Sequence, residues 1–192
     1  MASDIIQIPF PILTARLSLR PYQAGDLDDL YEYHALPEVA RYLYTQPRSR
    51  EETQTMLERK MAYTGFTADT PYLALVAVLR ETGKLIGEVS LVWASQEHQQ
   101  GEIGFVFNPA YHGQGYASEA ARAMLNVGFG TYALHRIFGR CDARNTGSAR
   151  LMERLGMRRE AHFIHNEFSK GEWGDELVYA ILADEWKQAA GA

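Results

Sequence analysis

Apolar and polar positions alternate along several stretches of the chain with the period of two that is typical of half-buried strands. Residues 16–20 show this alternation, whereas residues 72–79 form a near-continuous apolar run that predicts a fully buried strand. A Thr-Gly turn then leads into a partner strand over residues 85–93, and a polar loop leads to a third strand over residues 102–107. Three strands with short connections predict an antiparallel meander.

Apolar residues at helical spacing, next to polar residues suited to helix ends, predict the helices. Asp26 is a candidate N-cap for the first helix, and a capping box begins at Ser49 for the second. A third helix is expected over residues 117–132. Asn145 is a candidate N-cap for a fourth helix, which ends at Gly156 in the C′ position.

The order of these elements indicates the fold. A strand over residues 136–142 follows the third helix, and a strand–helix–strand crossover of this length makes the flanking strands parallel. Two strands over residues 161–168 and 177–183 end the chain. We therefore predict an α/β fold with a mixed, mostly antiparallel central sheet of about six to seven strands and about four flanking helices. No repeat or linker interrupts the pattern, so residues 1–192 are expected to form one domain.

Composition and charge narrow the classes of function. The 192 residues are 46% hydrophobic and 22% charged, as in ordinary globular proteins, and the net charge of −5 provides no electrostatic footprint for nucleic acid. The single cysteine, Cys141, excludes an internal disulfide and fits a reducing compartment. Without a basic leader or a long apolar run, we expect a cytoplasmic protein with no membrane segment. The histidines show no metal-ligand spacing, so no metal is expected.

A glycine-spaced loop from Gly113 to Ala117 lies between the strand at residues 102–107 and the third helix. Glycines let the backbone approach a ligand, and the free N–H groups and dipole at a helix start favour a phosphate. A plain tight turn is the alternative. The loop lacks both the Lys-Ser/Thr pair of a P-loop and the Gly-x-Gly-x-x-Gly fingerprint, which argues against a nucleotide-binding domain.

Two motifs carry a resemblance to a known family. The segment HGQGYASEA at residues 112–120 follows an Ile-Gly-Phe-Val strand, and NTGSARLMERLGM occupies residues 145–157. Together they resemble the GNAT superfamily of N-acetyltransferases, and more closely its ribosomal-protein N-terminal acetyltransferase branch, the RimJ/RimL type. The resemblance extends over nearly the whole chain. It implies the GNAT fold and the direct, acetyl-CoA-dependent transfer of an acetyl group to a primary amine, without an acyl-enzyme.

The resemblance also implies how acetyl-CoA is held. Backbone groups of Phe105, Val106 and Phe107 would pair with the pantetheine arm, and one of their amides would polarise the thioester carbonyl. Asn145 would contact the pantetheine amides. Many members carry Gln or Arg at the position of His112. Because the phosphate would be bound by backbone groups, this difference affects only what the side chain at that position contributes to binding. The pyrophosphate would lie on the amides of the glycine loop, namely Gly113, Gln114, Gly115, Tyr116, Ala117 and Ser118.

Acetyl transfer to an amine requires a group that accepts the amine proton and a group that protonates the thiolate leaving group. Ser148 matches the serine that the RimL-like branch uses as the proposed acid, whereas Met152 occupies the position where many members place a tyrosine. Glu167 matches the glutamate that lies near the substrate amine in that branch, and it is the base that we predict. Glu102 and Glu88 are rival bases, because an inward carboxylate with a raised pKa would be a better proton acceptor.

Cys141 offers a different route. It precedes Ser148 by a spacing that is also similar to that of the RimL-like branch. A nucleophilic thiolate assisted by His162 or His165 would give a ping-pong mechanism. The alternative is that a single cysteine in a strand is a small core residue.

The resemblance implies a general class of acceptor and the region of the chain that would border it. Tyr42 and Tyr44, in an aromatic loop between the first two helices, would border the acceptor, with ordinary core contact as the alternative. The acceptor is expected to be a protein or peptide N-terminal amine or a small amine. A catalytically inactive acyl-CoA-binding module is the alternative function. Phe163, Phe168 and Trp173 would serve either a homodimer interface or the acceptor pocket.

Overall fold

The computed structural model of the chain describes residues 8–66 and 70–190, and within these residues nine strands form one mixed sheet. The strands are β1 (Ile12–Leu13), β2 (Leu17–Arg20), β3 (Thr64–Phe66), β4 (Pro71–Leu79), β5 (Leu85–Ser95), β6 (Gln100–Phe107), β7 (Arg136–Asp142), β8 (Arg158–Ser169) and β9 (Glu172–Leu182). Their order is β1-β2-β4-β5-β6-β7-β9-β8, and β3 pairs with β4 outside this path. Only β6 and β7 pair in parallel among the described strands. The predicted α/β fold is confirmed, with more strands than expected.

Six α-helices accompany the sheet in the described part of the chain. They are α1 (Leu27–His34), α2 (Pro37–Ala40), α3 (Arg50–Lys60), α4 (Tyr116–Asn126), α5 (Thr146–Arg154) and α6 (Ala183–Ala190). The end of α4 continues as a π-helical segment, Val127–Thr131, so the helix predicted over residues 117–132 changes its winding before it ends. No helix in the described residues combines the length and hydropathy that a membrane span requires.

Two apolar clusters cover the two faces of the sheet. One face packs against α4, α5 and α6, and its cluster includes Leu73 and Leu75 of β4. The opposite face packs against α1 and α3, and its cluster includes Ala74 and Val76 of the same strand. Successive residues of a strand point to opposite faces. Burial on both faces therefore explains why β4 reads as a near-continuous apolar run.

The parallel strands β6 and β7 pair along only part of their length and separate near the middle of the sheet. The two strands pair at Gln100–Arg136, Gly101–Ile137 and Glu102–Phe138, and the described residues show no pairing beyond that point. Further along β7, a Cβ atom on Gly139 would lie 2.8 Å from Sδ of Met152, so glycine lets α5 lie close against this strand. The C-terminal half of β6 is consequently left with a strand partner on one side only.

Several local predictions are confirmed and others need correction. Ser49 forms the capping box of α3, and Gly156 after α5 has a φ of 83° in the left-handed region. Asp26 does not cap α1 with its side chain, because its carboxylate forms an ion pair with Arg20 at 2.7 Å instead. The last predicted strand ends before residue 183, where α6 begins. The extra strands β1 and β3 contain two and three residues, too few to carry a periodic signal.

Candidate functional site

A cleft of about 240 Å³ opens where β6 and β7 part. Its walls are the free edge of β6, the end of β7, the start of α5 and the loop after α2. The structure brings five predicted site residues to this cleft, namely Tyr42, Phe105, Val106, Asn145 and Ser148. Lys60, Glu88, Arg140 and Cys141 also line it.

The edge of β6 supplies backbone groups to the cleft. Phe105 and Val106 pair with β5 on one side, and beyond Glu102 no strand within the described residues pairs with the other side. An extended ligand can bond to such an edge as an added strand does. Phe107 is buried and does not line the cleft, and its carbonyl oxygen lies 3.0 Å from Nε2 of His112. The histidine that departs from the family pattern therefore ties the glycine loop to the end of β6.

The glycine loop before α4 holds a row of free backbone donors. Gly113 and Gly115 have φ angles of 75° and 83°, in the left-handed region that favours glycine. Within the described residues, the N–H groups of residues 113–118 donate no hydrogen bond. Successive free N–H groups at the start of a helix form an anion site, which fits the expected pyrophosphate.

Two arginines lie beside this loop. The Arg16 guanidinium donates to the carbonyl of Gln114 at 2.9 Å and lies 4.3 Å from the centroid of the Tyr116 ring. Arg154, at the end of α5, reaches Oγ of Ser118 at 3.5 Å. Neither arginine is predicted from the sequence, because each comes from an element remote from the loop in the chain.

The start of α5 forms another wall of the cleft. Asn145 is the N-cap of this helix, since its Oδ1 accepts a hydrogen bond from the Ser148 N–H at 3.1 Å. Ser148 is half-buried, and its hydroxyl has no hydrogen-bond partner within the described residues. Met152 lines the same wall and offers only a thioether. The Ser148 hydroxyl is therefore free to donate to a ligand in the cleft.

Glu167 and Tyr44 do not line the cleft. They line a neighbouring hollow of about 30 Å³, to which Asp142 and Asp175 also contribute. Tyr42 borders both cavities. The side chain of Glu167 forms no hydrogen bond or ion pair within the described residues. The structure thus places the predicted base in the adjoining cavity and not beside Ser148.

Glu88 lines the cleft, but its carboxylate is bonded to the cation of Lys60. Its carboxylate accepts a hydrogen bond from Nζ of Lys60 at 2.6 Å and another from the hydroxyl of Tyr22, and Nε2 of His34 lies 3.6 Å away. Burial alone would raise the pKa of Glu88, but Lys60 and His34 hold it well below its usual range. Such a carboxylate is a poor proton acceptor at neutral pH, which weighs against Glu88 as the base.

Glu102 is also engaged by a cation. Nε of Arg140 donates to it at 2.9 Å, and Nη1 of the same guanidinium reaches Glu176 at 3.4 Å. Neither Arg140 nor Glu176 is predicted as a site residue. The one trace of Glu176 in the sequence is a carboxylate placed directly before the apolar run that ends β9.

Cys141 lines the cleft with a protonated thiol. Burial, followed by the carboxylates nearby, raises its pKa to about 11. His162 lies 3.1 Å from the carboxylate of Asp175, and His165 contacts the same carboxylate through its backbone N–H. Neither imidazole is bonded to Cys141. In the described residues, no group of three or more His, Cys, Asp or Glu side chains is arranged to hold a metal ion.

The chain is similar to known acetyltransferases along most of its length. Residues 16–158 match the family model described as an acetyltransferase (GNAT) domain. The chain is 37% identical over 175 residues to an uncharacterized N-acetyltransferase, YnaD, of Bacillus subtilis (strain 168), and the match covers 91% of this chain and 98% of YnaD.

Solved structures show the same likeness. The crystal structure of a GNAT-family acetyltransferase from Bacillus anthracis matches with a TM-score of 0.82 and 35% identity, over 90% of this chain and 98% of that chain. The spermidine N-acetyltransferase of Vibrio cholerae, solved in complex with CoA and spermine, matches with a TM-score of 0.76 and 22% identity, over 91% of this chain and 99% of that chain. At that identity the second likeness concerns the fold alone.

Proposed function

Because the chain belongs to the GNAT acetyltransferase family and is an N-acetyltransferase that uses acetyl-CoA, we propose that it transfers the acetyl group directly to a primary amine in the cleft. The acceptor that we propose is a protein or peptide N-terminal amine, as in the RimJ/RimL branch, or a small amine. One observation carries the proposal: the free edge of β6 and the unpartnered hydroxyl of Ser148 line the same cleft.

Acetyl-CoA, when bound, supplies an acetyl group activated as a thioester. The chain would hold it through the backbone of Phe105 to Phe107, the N–H groups of residues 113–118 and the side chain of Asn145. The unpaired edge and the row of free donors support this assignment. Arg154 would add positive charge beside the phosphates, whereas the charge of Arg16 is paired with Glu119 at 2.7 Å.

We assign protonation of the leaving thiolate to Ser148. Its hydroxyl lines the cleft, and Met152, one helical turn later, cannot donate a proton. A serine hydroxyl is only weakly acidic, so it acts through a hydrogen bond or a relayed proton.

We assign the base to Glu167. Glu88 and Glu102 are each bound to a cation, whereas Glu167 has no ion pair within the described residues. The hollow that Glu167 lines, with a volume of about 30 Å³, has room for water. We therefore propose that the amine proton reaches Glu167 through a water.

Glu167→Gln is expected to lower kcat by roughly 10²–10⁴ while CoA affinity stays nearly unchanged, because the amide cannot accept the proton. The assay measures free thiol released from acetyl-CoA with a panel of N-terminal peptides, polyamines and aminoglycosides. Glu160→Gln is the matched control, since Glu160 lies on the same strand and pairs with Arg136 and Arg158 outside both cavities. Full turnover of Glu167→Gln at neutral pH would exclude Glu167 as the base.

The same panel separates the proposed transfer from its alternative. Acceptor-dependent thiol release identifies both the activity and the class of amine. Binding of acetyl-CoA without release on any amine would instead support a catalytically inactive acyl-CoA-binding module.

We also propose that the β8–β9 hairpin forms a homodimer interface. β8 is the last strand of the sheet path, and Phe163, Phe168 and Trp173 are 48%, 61% and 57% exposed. An exposed apolar group beside an unpaired strand edge is typical of an association surface. Light scattering is expected to give twice the monomer mass, and a mass of 21.7 kDa would contradict the dimer.

A further inference from the structure

Glu176 is a buried carboxylate that the proposed transfer does not use. It lies on β9 between β7 and β8 and is 3% exposed. Its Oε2 accepts a hydrogen bond from Nδ2 of Asn166 at 3.0 Å. Its Oε1 accepts longer contacts from Nη1 of Arg140 at 3.4 Å and from the hydroxyl of Tyr44 at 3.5 Å. The carboxylate therefore joins three side chains from three different parts of the chain.

The negative charge of Glu176 is compensated only in part. Arg140 makes its shorter bond, at 2.9 Å, to Glu102 and so serves two carboxylates. Burial raises the pKa of Glu176, Arg140 opposes that effect incompletely, and the nearby Glu167 adds to it. A buried charge of this kind costs folding free energy at neutral pH. Stability alone therefore does not account for a carboxylate at this position.

Two partners of Glu176, Arg140 and Tyr44, belong to the side of the cleft that we assign to the acceptor. Arg140 lines the cleft, and Tyr44 lies in the same loop as Tyr42, which also lines it. The other end of this loop is held separately, because Lys170 donates to the last carbonyl of α2 at 2.5 Å. Glu176 thus provides the second attachment of the loop to the β8–β9 side of the sheet.

We propose that Glu176 is a positioning residue for the acceptor amine, which it serves by fixing Tyr44 and Arg140 and, through them, one wall of the cleft. Glu176 lines neither cavity, so it acts through these two side chains. The inference rests on the proposed function, since it concerns the amine acceptor of that reaction.

Glu176→Gln keeps the shape of the side chain and removes its charge. We expect the KM for the amine to rise about tenfold, because misplacing a binding wall weakens the acceptor complex. We expect kcat to change less than about twofold and the Kd for CoA to stay constant. The amine used is the one in the panel with the fastest thiol release, and Glu160→Gln serves again as the control.

A double-mutant cycle tests whether Glu176 acts through Tyr44. Tyr44→Phe removes the hydroxyl and should raise the same KM by a similar factor. The combined variant should show no more than the larger single effect, because both changes break one connection. Independent, multiplying effects would overturn the proposal.

The pH dependence provides a second readout. As the pH falls through the pKa of Glu176, the carboxylate gains a proton and loses its attraction for Arg140. The KM of the wild-type enzyme should therefore rise on the acid side, whereas that of Glu176→Gln should be high and flat. Glu167→Gln is measured in parallel, because the other titratable and charged groups that face Glu176 are Arg140, Tyr44, Glu167, Glu102 and Cys141.

The stability of the Glu176→Gln variant distinguishes a positioning role of Glu176 from a structural role. Since the folded pKa of Glu176 lies above its unfolded value, ionisation costs folding free energy as the pH rises through that pKa. Glu176→Gln should therefore keep or raise the Tm at pH 7. A lower Tm, with equal losses of kcat and CoA binding, would overturn the proposal. An unchanged KM with active wild-type enzyme would refute this inference alone, whereas no thiol release by the wild-type enzyme would refute the proposed function and the inference with it.

Discussion

Cys141 lies in the wall of the cleft, and the protonation of its thiol distinguishes two routes of acetyl transfer. Burial, Asp142 and Glu176 raise its pKa to about 11. A protonated thiol is a weak nucleophile, so Cys141→Ser is expected to keep kcat within about twofold. Alkylation of this single cysteine should accelerate as the pH rises toward about 11. A loss of turnover above roughly a hundredfold in folded Cys141→Ser would support the covalent route instead.

Residues are predictable from the sequence where the backbone is regular. Phe105 and Ser148 both line the cleft, because a strand edge and a capped helix start fix their places. Glu167 lies in the hollow instead. The register of β8 against β9 shifts between Phe163 and Glu167, and His165 between them has a φ of 48°. Simple strand alternation therefore fails at this point.

A substitution at Gly115 tests whether the loop before α4 binds CoA. Its φ of 83° lies in the left-handed region, where a non-glycine residue costs roughly 1–2 kcal/mol. We expect the loop of free Gly115→Ala to relax out of this conformation, so that CoA must restore it. CoA binding should therefore weaken by about tenfold, since 1.4 kcal/mol is a factor of ten. Calorimetric titration with CoA measures the effect.

Gly130→Ala is the control for this substitution. A Cβ atom on Gly130 meets nothing within 4 Å, and the residue lies outside the left-handed region. Its CoA affinity should match that of the wild-type protein. If Gly115→Ala also binds CoA with unchanged affinity, the loop does not hold the phosphates in the proposed way.

Elements are predictable where burial imposes a period. The meander of β4, β5 and β6 and the parallel crossover to β7 follow from apolar runs and turn residues, and the structure confirms them. β8 begins at Arg158, three residues before the expected start. The sequence does not show this start, because most side chains of β8 are exposed and do not alternate between buried and exposed positions. A strand without a buried face leaves little pattern in the sequence.

The contact between Lys60 and Glu88 joins α3 to the sheet and affects the whole molecule. Lys60→Met would leave Glu88 buried without its nearest cation, and breaking a buried pair costs about 3–5 kcal/mol. Denaturant unfolding at pH 7 is expected to show this loss. Lys60→Met combined with Glu88→Gln should recover much of it, and equal stability of the single variant and the wild-type protein would contradict the role of the pair.

The same pair has a defined pH dependence. The fold holds the pKa of Glu88 below its unfolded value, so its ionised form stabilises the fold above the ordinary carboxylate pKa. That contribution is lost as the pH falls. Sequence alone does not reveal the pair, because Lys60 and Glu88 are 28 residues apart on different elements. Long-range partners of this kind depend on the tertiary packing.

The separation of β6 from β7 divides the sheet into two parts, the strands up to β6 and the strands from β7 onward. In the described residues these two parts pair with each other only at residues 100–102 of β6. The aromatic loop belongs to the first part of the sheet. It contacts the β8–β9 hairpin, which belongs to the second part, through Tyr44 and Lys170. A ligand bonded along β6 would lie between the two parts of the sheet and set the angle between them. The distance between the aromatic loop and the β8–β9 hairpin would then be fixed only once this ligand is bound. We therefore predict an ordered sequence of binding, with the acyl donor first and the amine second.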